Sequence, residues 1–242
     1  MSGMKKDGGA QRLDKLISDG RLISRSEARE LVRSGRVCVD GAAVTQPDAR
    51  VEPERVSVDG QSLGGRRFHY LMLDKPAGVL SATQDGRGET VLGLLPAEYR
   101  RLALFPVGRL DKDTTGLLLL TNDGDFAHRV ISPRSGIRKR YIAEVDGELT
   151  PADVEAFAQG LTLADGTRCL PARLELLGDR RCAVTVTEGK YHQVKRMLAS
   201  RGAPVILLRR MSVGALVLDG TLGPGGSREL TEAERDAVLT ID

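Results

Sequence analysis

Apolar and polar positions alternate along this chain in two periods, and each change of period marks out an element. Near the N-terminus Leu13, Leu16 and Ile17 fall at helical spacing and predict a short helix over 12–17. A second helix opens at Ser24, where Ser24 and Glu27 have the spacing of a capping box. It carries Ala28, Leu31 and Val32 on one side, and Gly35 suits its stop. A strand over 36–39 runs into Asp40-Gly41, which should return as a hairpin through 42–44. A further strand is expected over 55–58 before Asp59-Gly60. The stretch 61–67, QSLGGRR, has no period and reads as a linker. Beyond it, strand-like runs at 70–73, 117–121, 141–145, 173–177, 183–187 and 205–209 alternate with helical ones at 151–159, 191–200 and 231–239. Several strands with few helices predict an α+β fold with a central mixed or antiparallel sheet over 68–242. It is preceded by a small α/β module over 12–60 and a flexible tail over 1–11.

Composition narrows the function classes. At 242 residues, 40% hydrophobic and 29% charged, the chain is an ordinary globular protein, and it has no apolar run long enough to span a membrane. Its N-terminus has no apolar stretch of the secretory kind, and a cytoplasmic location is expected. Cys38, Cys169 and Cys182 are scattered, as are His69, His128 and His192, so neither a disulfide framework nor a metal site is expected. With four Phe, four Tyr and no Trp, any base stacking must fall to one or two rings.

Net charge is only +3, so its distribution matters more than its sum. Arg25, Arg29, Arg33 and Arg36 recur at spacings of four, four and three on the second helix, uninterrupted by acid on that face. A second basic run, Arg129, Arg134, Arg138, Lys139 and Arg140, leads into Tyr141 without an acid among them. A solvated face is the bland account of each. Phosphate contact is the functional one.

The most informative stretch is 107–124, VGRLDKDTTGLLLLTNDG. It sets Asp111 between Arg109 and an apolar run, as a site holding one ionised carboxylate at the edge of a core would. Asp113 and the Asn122-Asp123-Gly124 sequence read as turns. Without further context, a structural Asp capping a turn would be the default for Asp111.

The order GRLD-x-DT-x-GLLL-x-TNDG resembles the signature of RNA pseudouridine synthases of the RsuA branch, and the 12–60 module resembles the S4 RNA-binding domain. The resemblance covers residues 12 to 242. It implies catalysis by Asp111 without a cofactor or metal, with Tyr141 stacking on the target base and Lys195 of EGKYHQVKRM pairing with the aspartate. Leu216 would pack under the uracil, Arg109 would brace the loop or bind RNA, and Lys75-Pro76 would shape the loop behind the site. The expected RNA contacts are Arg25, Arg29, Arg33, Arg36, Arg138, Lys139, Arg140, His192 and Arg196. The blocks HRVISP and LPARLE, with EGKYHQVKRM, point within the family to 16S rRNA, met as an assembly intermediate by a monomer, with 23S rRNA as the alternative. A non-catalytic rRNA-binding assembly factor would have no need of Asp111, Tyr141 and Lys195 together. A glycosidase would need a second paired acid.

Overall fold

The computed structural model describes residues 10–21, 23–63, 68–84, 86, 88–100 and 102–241. It divides into two compact units. The first holds the chain up to His69 together with Pro96–Leu102, and the second holds the remainder. Most of the expected tail over 1–11 lies outside the described residues, as do 64–67 of the expected linker.

The first unit pairs two helices with a small sheet. β1 (Gln11–Arg12) pairs with β4 (Arg50–Val51), and α1 (Leu13–Arg21) runs four residues beyond its predicted end. α2 (Arg25–Arg33) starts where predicted: Ser24 Oγ accepts the Glu27 amide at 3.2 Å and Glu27 accepts the Ser24 amide at 2.7 Å. β2 (Val37–Val39), β3 (Ala42–Ala43), β5 (Val56–Val58) and β6 (Gln61–Ser62) form an antiparallel sheet in the order β3-β2-β5-β6. The first two residues of the expected linker are thus a strand, because the Asp59-Gly60 turn returns the chain onto β5. Leu13, Ile17, Ala28, Val32, Val37 and Val56 form the core of this unit. α3 (Ala97–Arg100) also belongs to it.

The second unit is built on a mixed nine-stranded sheet. Its strands are β7 (Tyr70–Lys75), β8 (Phe105–Pro106), β9 (Thr115–Thr121), β10 (Lys139–Val145), β11 (Arg173–Gly178), β12 (Arg181–Val186), β13 (Val205–Val213), β14 (Leu216–Val217) and β15 (Ser227–Glu229). The main order is β11-β12-β10-β13-β9-β7-β15. Only the β13–β9 pairing is parallel, so two antiparallel halves meet along one parallel seam. Gly116 makes the seam possible: at φ +98 its backbone lies against Arg210 so closely that a Cβ would collide with the Arg210 carbonyl. The helices are α4 (Gly124–Ile131), α5 (Pro151–Gln159), α6 (Gln193–Ala199) and α7 (Glu232–Val238). α5 has the predicted bounds, whereas α4 opens where a turn is expected. There the Asp123 carboxylate caps a helix, accepting the amides of Asp125 and Phe126 at 3.0 Å each.

One core cluster gathers Ala143, Val145, Phe157, Leu174, Val184, Met197 and Leu208. A second gathers Met72, Leu117, Leu119, Phe126, Val130, Leu216 and Val238. Among the described residues no helix is long and apolar enough to cross a membrane.

Candidate active site

The loop entering β9 carries Asp111 and is clamped from both sides. The Ser81 hydroxyl donates to the Leu110 carbonyl at 2.9 Å and accepts the Leu110 amide at 3.1 Å. Lys75, fully buried at the end of β7, donates to the carbonyls of Pro76 (2.9 Å), Lys112 (3.2 Å) and Thr114 (2.9 Å). Burial pushes the Lys75 ammonium down to about 8, and the three carbonyls are what it has in place of water. Thr114, also buried, places its hydroxyl 3.5 Å from Asp111 Oδ2 and its amide on the Asp111 carbonyl at 3.1 Å. The carboxylate is therefore aimed by a loop with little freedom, while its side chain stays 27% exposed.

Helix α6 supplies the charge that faces it. Lys195 Nζ lies 3.0 Å from Asp111 Oδ2 and 2.5 Å from Asp113 Oδ1, and His192 Nε2 lies 3.5 Å from Asp111 Oδ1. Burial alone would lower the Lys195 ammonium, but the two carboxylates outweigh it and raise it above its ordinary value. The same contact holds the Asp113 carboxyl below the usual range. Asp113, expected as a turn residue, thus shares the cation that faces Asp111, a role that its place in a DTTG turn does not signal.

Asp111 and Lys195 line a small cavity of about 70 Å³ with Arg109, Leu110, Thr114, Tyr141, His192 and Leu208. Beside it lies a cleft of about 860 Å³ that Asp111 does not line. The two share Arg109, Tyr141, Glu188, Gly189 and Lys190 as a common wall. Tyr141 is half-buried in that wall. Arg210, buried across the seam, donates to the Leu117 carbonyl at 2.7 Å and reaches the Tyr141 hydroxyl at 3.4 Å, with its guanidinium carbon 6.0 Å from the ring centroid. Ser81 carries no sequence signal because it acts from a loop distant in the chain. Thr114 lies in the expected turn after Asp111, and Arg210 in the Arg209-Arg210-Met211 stretch that the family resemblance picks out.

Of the expected site residues, Asp111, Arg109, Tyr141, His192 and Lys195 come together. Leu216 does not: it is buried in the second core cluster, and Leu208 and Leu110 line the Asp111 cavity. Arg196 is engaged by Asp165 at 2.5 Å. The basic run before Tyr141 is split by strand alternation. Lys139 shares the face of Tyr141 and is buried, pushed down to about 8 by burial and then by Arg210, which does not suit the backbone-phosphate contact expected of it. Arg138 and Arg140 point to the opposite face, into a groove of about 570 Å³.

In the first unit, the arginine stripe is not free of acid. Arg12, Arg25 and Arg29 converge on Asp14 of α1 at 3.1, 2.9 and 3.1 Å, and the Asp14 side chain is fully buried. Burial would raise the Asp14 carboxyl, but the three guanidiniums hold it well below the carboxylate range. Arg36 lies beyond the end of α2 and pairs with Asp59 at 2.7 Å, whereas Arg33 is exposed on the helix. The outer parts of Arg25 and Arg29 remain 49% and 44% exposed.

Comparison with known proteins bears directly on this geometry. Residues 69–200 match the RNA pseudouridylate synthase family, and residues 11–57 match the S4 domain. An RNA pseudouridine synthase of Bacillus subtilis (strain 168) is 43% identical over 92% of this chain and 96% of its own length. The ribosomal small subunit pseudouridine synthase A of Escherichia coli (strain K12) is 40% identical over 94% and 100%. A crystal structure of a pseudouridylate synthase superposes with a TM-score of 0.68 at 33% identity, covering 95% of this chain and 100% of its own. The chain belongs to the RsuA family of RNA pseudouridine synthases, intramolecular isomerases acting on RNA, with an N-terminal S4 RNA-binding domain.

Proposed function

We propose that this synthase isomerises a uridine of 16S rRNA, with Asp111 as the catalytic group, Lys195 paired with it, and Tyr141 stacking on the flipped uracil. The observation that carries the reading is the Asp111–Lys195 pair at 3.0 Å, in a cavity walled by the ring of Tyr141. In the reaction the bond from N1 to the ribose breaks, the uracil turns, C5 bonds to the ribose carbon, the C5 proton leaves and N1 takes up a proton, so the composition is unchanged. A carboxylate can add to the ring, attack the ribose or take a ribose proton, and each of these needs it unprotonated. Lys195 offers that carboxylate an ammonium donor at 3.0 Å. The 860 Å³ cleft next to the cavity has room for a base out of its stack, and the ring of Tyr141 lies in the wall between the two.

The small-subunit target is supported by the HRVISP, LPARLE and EGKYHQVKRM blocks and by the name of the 40%-identical Escherichia coli relative. Pseudouridine mapping in total rRNA from cells with and without the protein tests it. Loss of one pseudouridine from 16S rRNA alone is the expected result. A loss confined to 23S rRNA transfers the assignment to the large subunit, and no loss from either overturns it.

A further inference from the structure

Tyr191 is 76% exposed, the most exposed of the large apolar or aromatic side chains among the described residues, yet its ring is not loose. It lies flat on His192, with centroids 3.8 Å apart and planes inclined by 19°. The turn beneath is fixed by several bonds. The Gln193 amide donates to the Lys190 carbonyl at 3.1 Å, the Lys190 amide donates to Gln193 Oε1 at 3.0 Å, and Arg196 Nη1 reaches the Tyr191 carbonyl at 3.4 Å. His192 holds a left-handed backbone (φ 47, ψ 32) that favours glycine. Glycine would carry neither the stack nor the contact to Asp111, so the conformation is held for the side chain.

His192 lines two spaces, the Asp111 cavity and a neighbouring hollow of about 270 Å³. The hollow is lined by Lys195 and Arg196, by Asp113, and by the apolar Ala199, Val205 and Ile206. An RNA strand with its uridine at Asp111 that leaves the cavity on this side meets one flat face of an aromatic ring fixed on His192, and base stacking on such a face is tolerant of sequence.

We propose that Tyr191, seated on His192 beside the Asp111 cavity, stacks on the base of the nucleotide adjacent to the target uridine. The proposal rests on the reading that places the uridine at Asp111. It makes Tyr191 a positioning residue, acting on the RNA strand and not on the reacting atoms.

The test uses the full chain and RNA hairpins with one unpaired uridine, carrying 2-aminopurine immediately 5′ or immediately 3′ of it. Fluorescence quenching at one of the two positions is expected with the parent and with Tyr191→Phe, and its loss with Tyr191→Ala. On a 16S rRNA transcript, Tyr191→Ala should raise KM by on the order of tenfold with a much smaller fall in kcat, while Tyr191→Phe stays near the parent. Unchanged quenching in Tyr191→Ala at both positions overturns the proposal, as does a KM within about twofold of the parent. So does an equal loss in Tyr191→Phe, which would assign the effect to the hydroxyl. A parent protein that forms no pseudouridine in either rRNA defeats the functional reading instead, and the quenching comparison still decides the stacking.

Discussion

Lys195 Nζ stands 3.0 Å from Asp111 Oδ2, although the two residues come from a loop and a helix more than eighty positions apart. The lysine also meets Asp113 at 2.5 Å, but Asp113 is 75% exposed, so solvent screens that contact more. Asp111→Asn should abolish product while RNA binding stays within about a few-fold, since shape is kept and charge is lost. Lys195→Met should lower kcat by on the order of a hundredfold, and Asp113→Asn by less than about tenfold. Single-turnover pseudouridine formation on an rRNA transcript measures all three. Residual turnover in Asp111→Asn would remove Asp111 from its role.

Tyr141 is held from behind by Arg210. Tyr141→Phe keeps the ring and loses one long hydrogen bond, so it should retain most activity, whereas Tyr141→Leu should lose nearly all of it. Equal severe loss in both would make the hydroxyl a participant. Arg210→Lys should impair turnover although it keeps the charge, because a compact ammonium cannot reach both the Leu117 carbonyl and Tyr141.

Lys139 is a buried cation that donates to the Ile137 carbonyl at 3.4 Å. Its folded value of about 8 lies below the ordinary 10.5, so the unfolded chain binds its proton more tightly. The penalty for burying the charge is fully present below about pH 8 and is relieved as pH rises towards 10.5. Lys139→Met should therefore be as stable as the parent or more so at pH 7, by at most about 3 kcal/mol. The gain should shrink across pH 8 to 10.5. Thermal melting of both proteins from pH 7 to 10 tests this, and a gain that grew with pH would contradict it.

Asp14 anchors three guanidiniums, and its carboxyl is held well below its ordinary value. The stability it contributes is present above that ordinary value and is lost as pH falls through the folded one. Asp14→Asn should cost about 2–4 kcal/mol, since the partners are only half-buried, and should flatten the acid side of the stability profile. Arg33→Ala, which breaks no such pair, should leave stability within about 0.5 kcal/mol and reduce the salt slope of RNA binding by about one. Denaturant titration and binding between 50 and 200 mM salt separate the two effects.

What could be read in the sequence followed from local signals. The capping box at Ser24, the Thr150-Pro151 start and the alternation of the strands depend on residues within a few positions of one another, and the structure has them nearly as expected. The misreadings were of longer reach. Asp14 sits on another helix, so the stripe on α2 showed no acid. Lys139 shares a basic run with Arg138 and Arg140, but the pleat sends it to the opposite face from them. Asn122-Asp123-Gly124 has the composition of a turn, and only the following helix reveals Asp123 as its cap. Leu216 was placed under the base by position in a motif, but Leu208, on the seam strand, lines the cavity.

The parallel seam has a bearing on how the enzyme matures. The Asp111 loop leads into β9, Arg210 and Leu208 ride on β13, and Lys195 stands on the helix just before β13, so the site's parts belong to opposite sides of the seam. The β11-β12-β10-β13 half and the β7–β9 pair form from pairings nearer in sequence, whereas the seam joins Gly116 to Arg210 and β15 returns to β7 from further still. Catalytic competence is thereby tied to a long-range closure of the sheet: a chain that has not zipped this seam has strands but no aspartate facing a lysine.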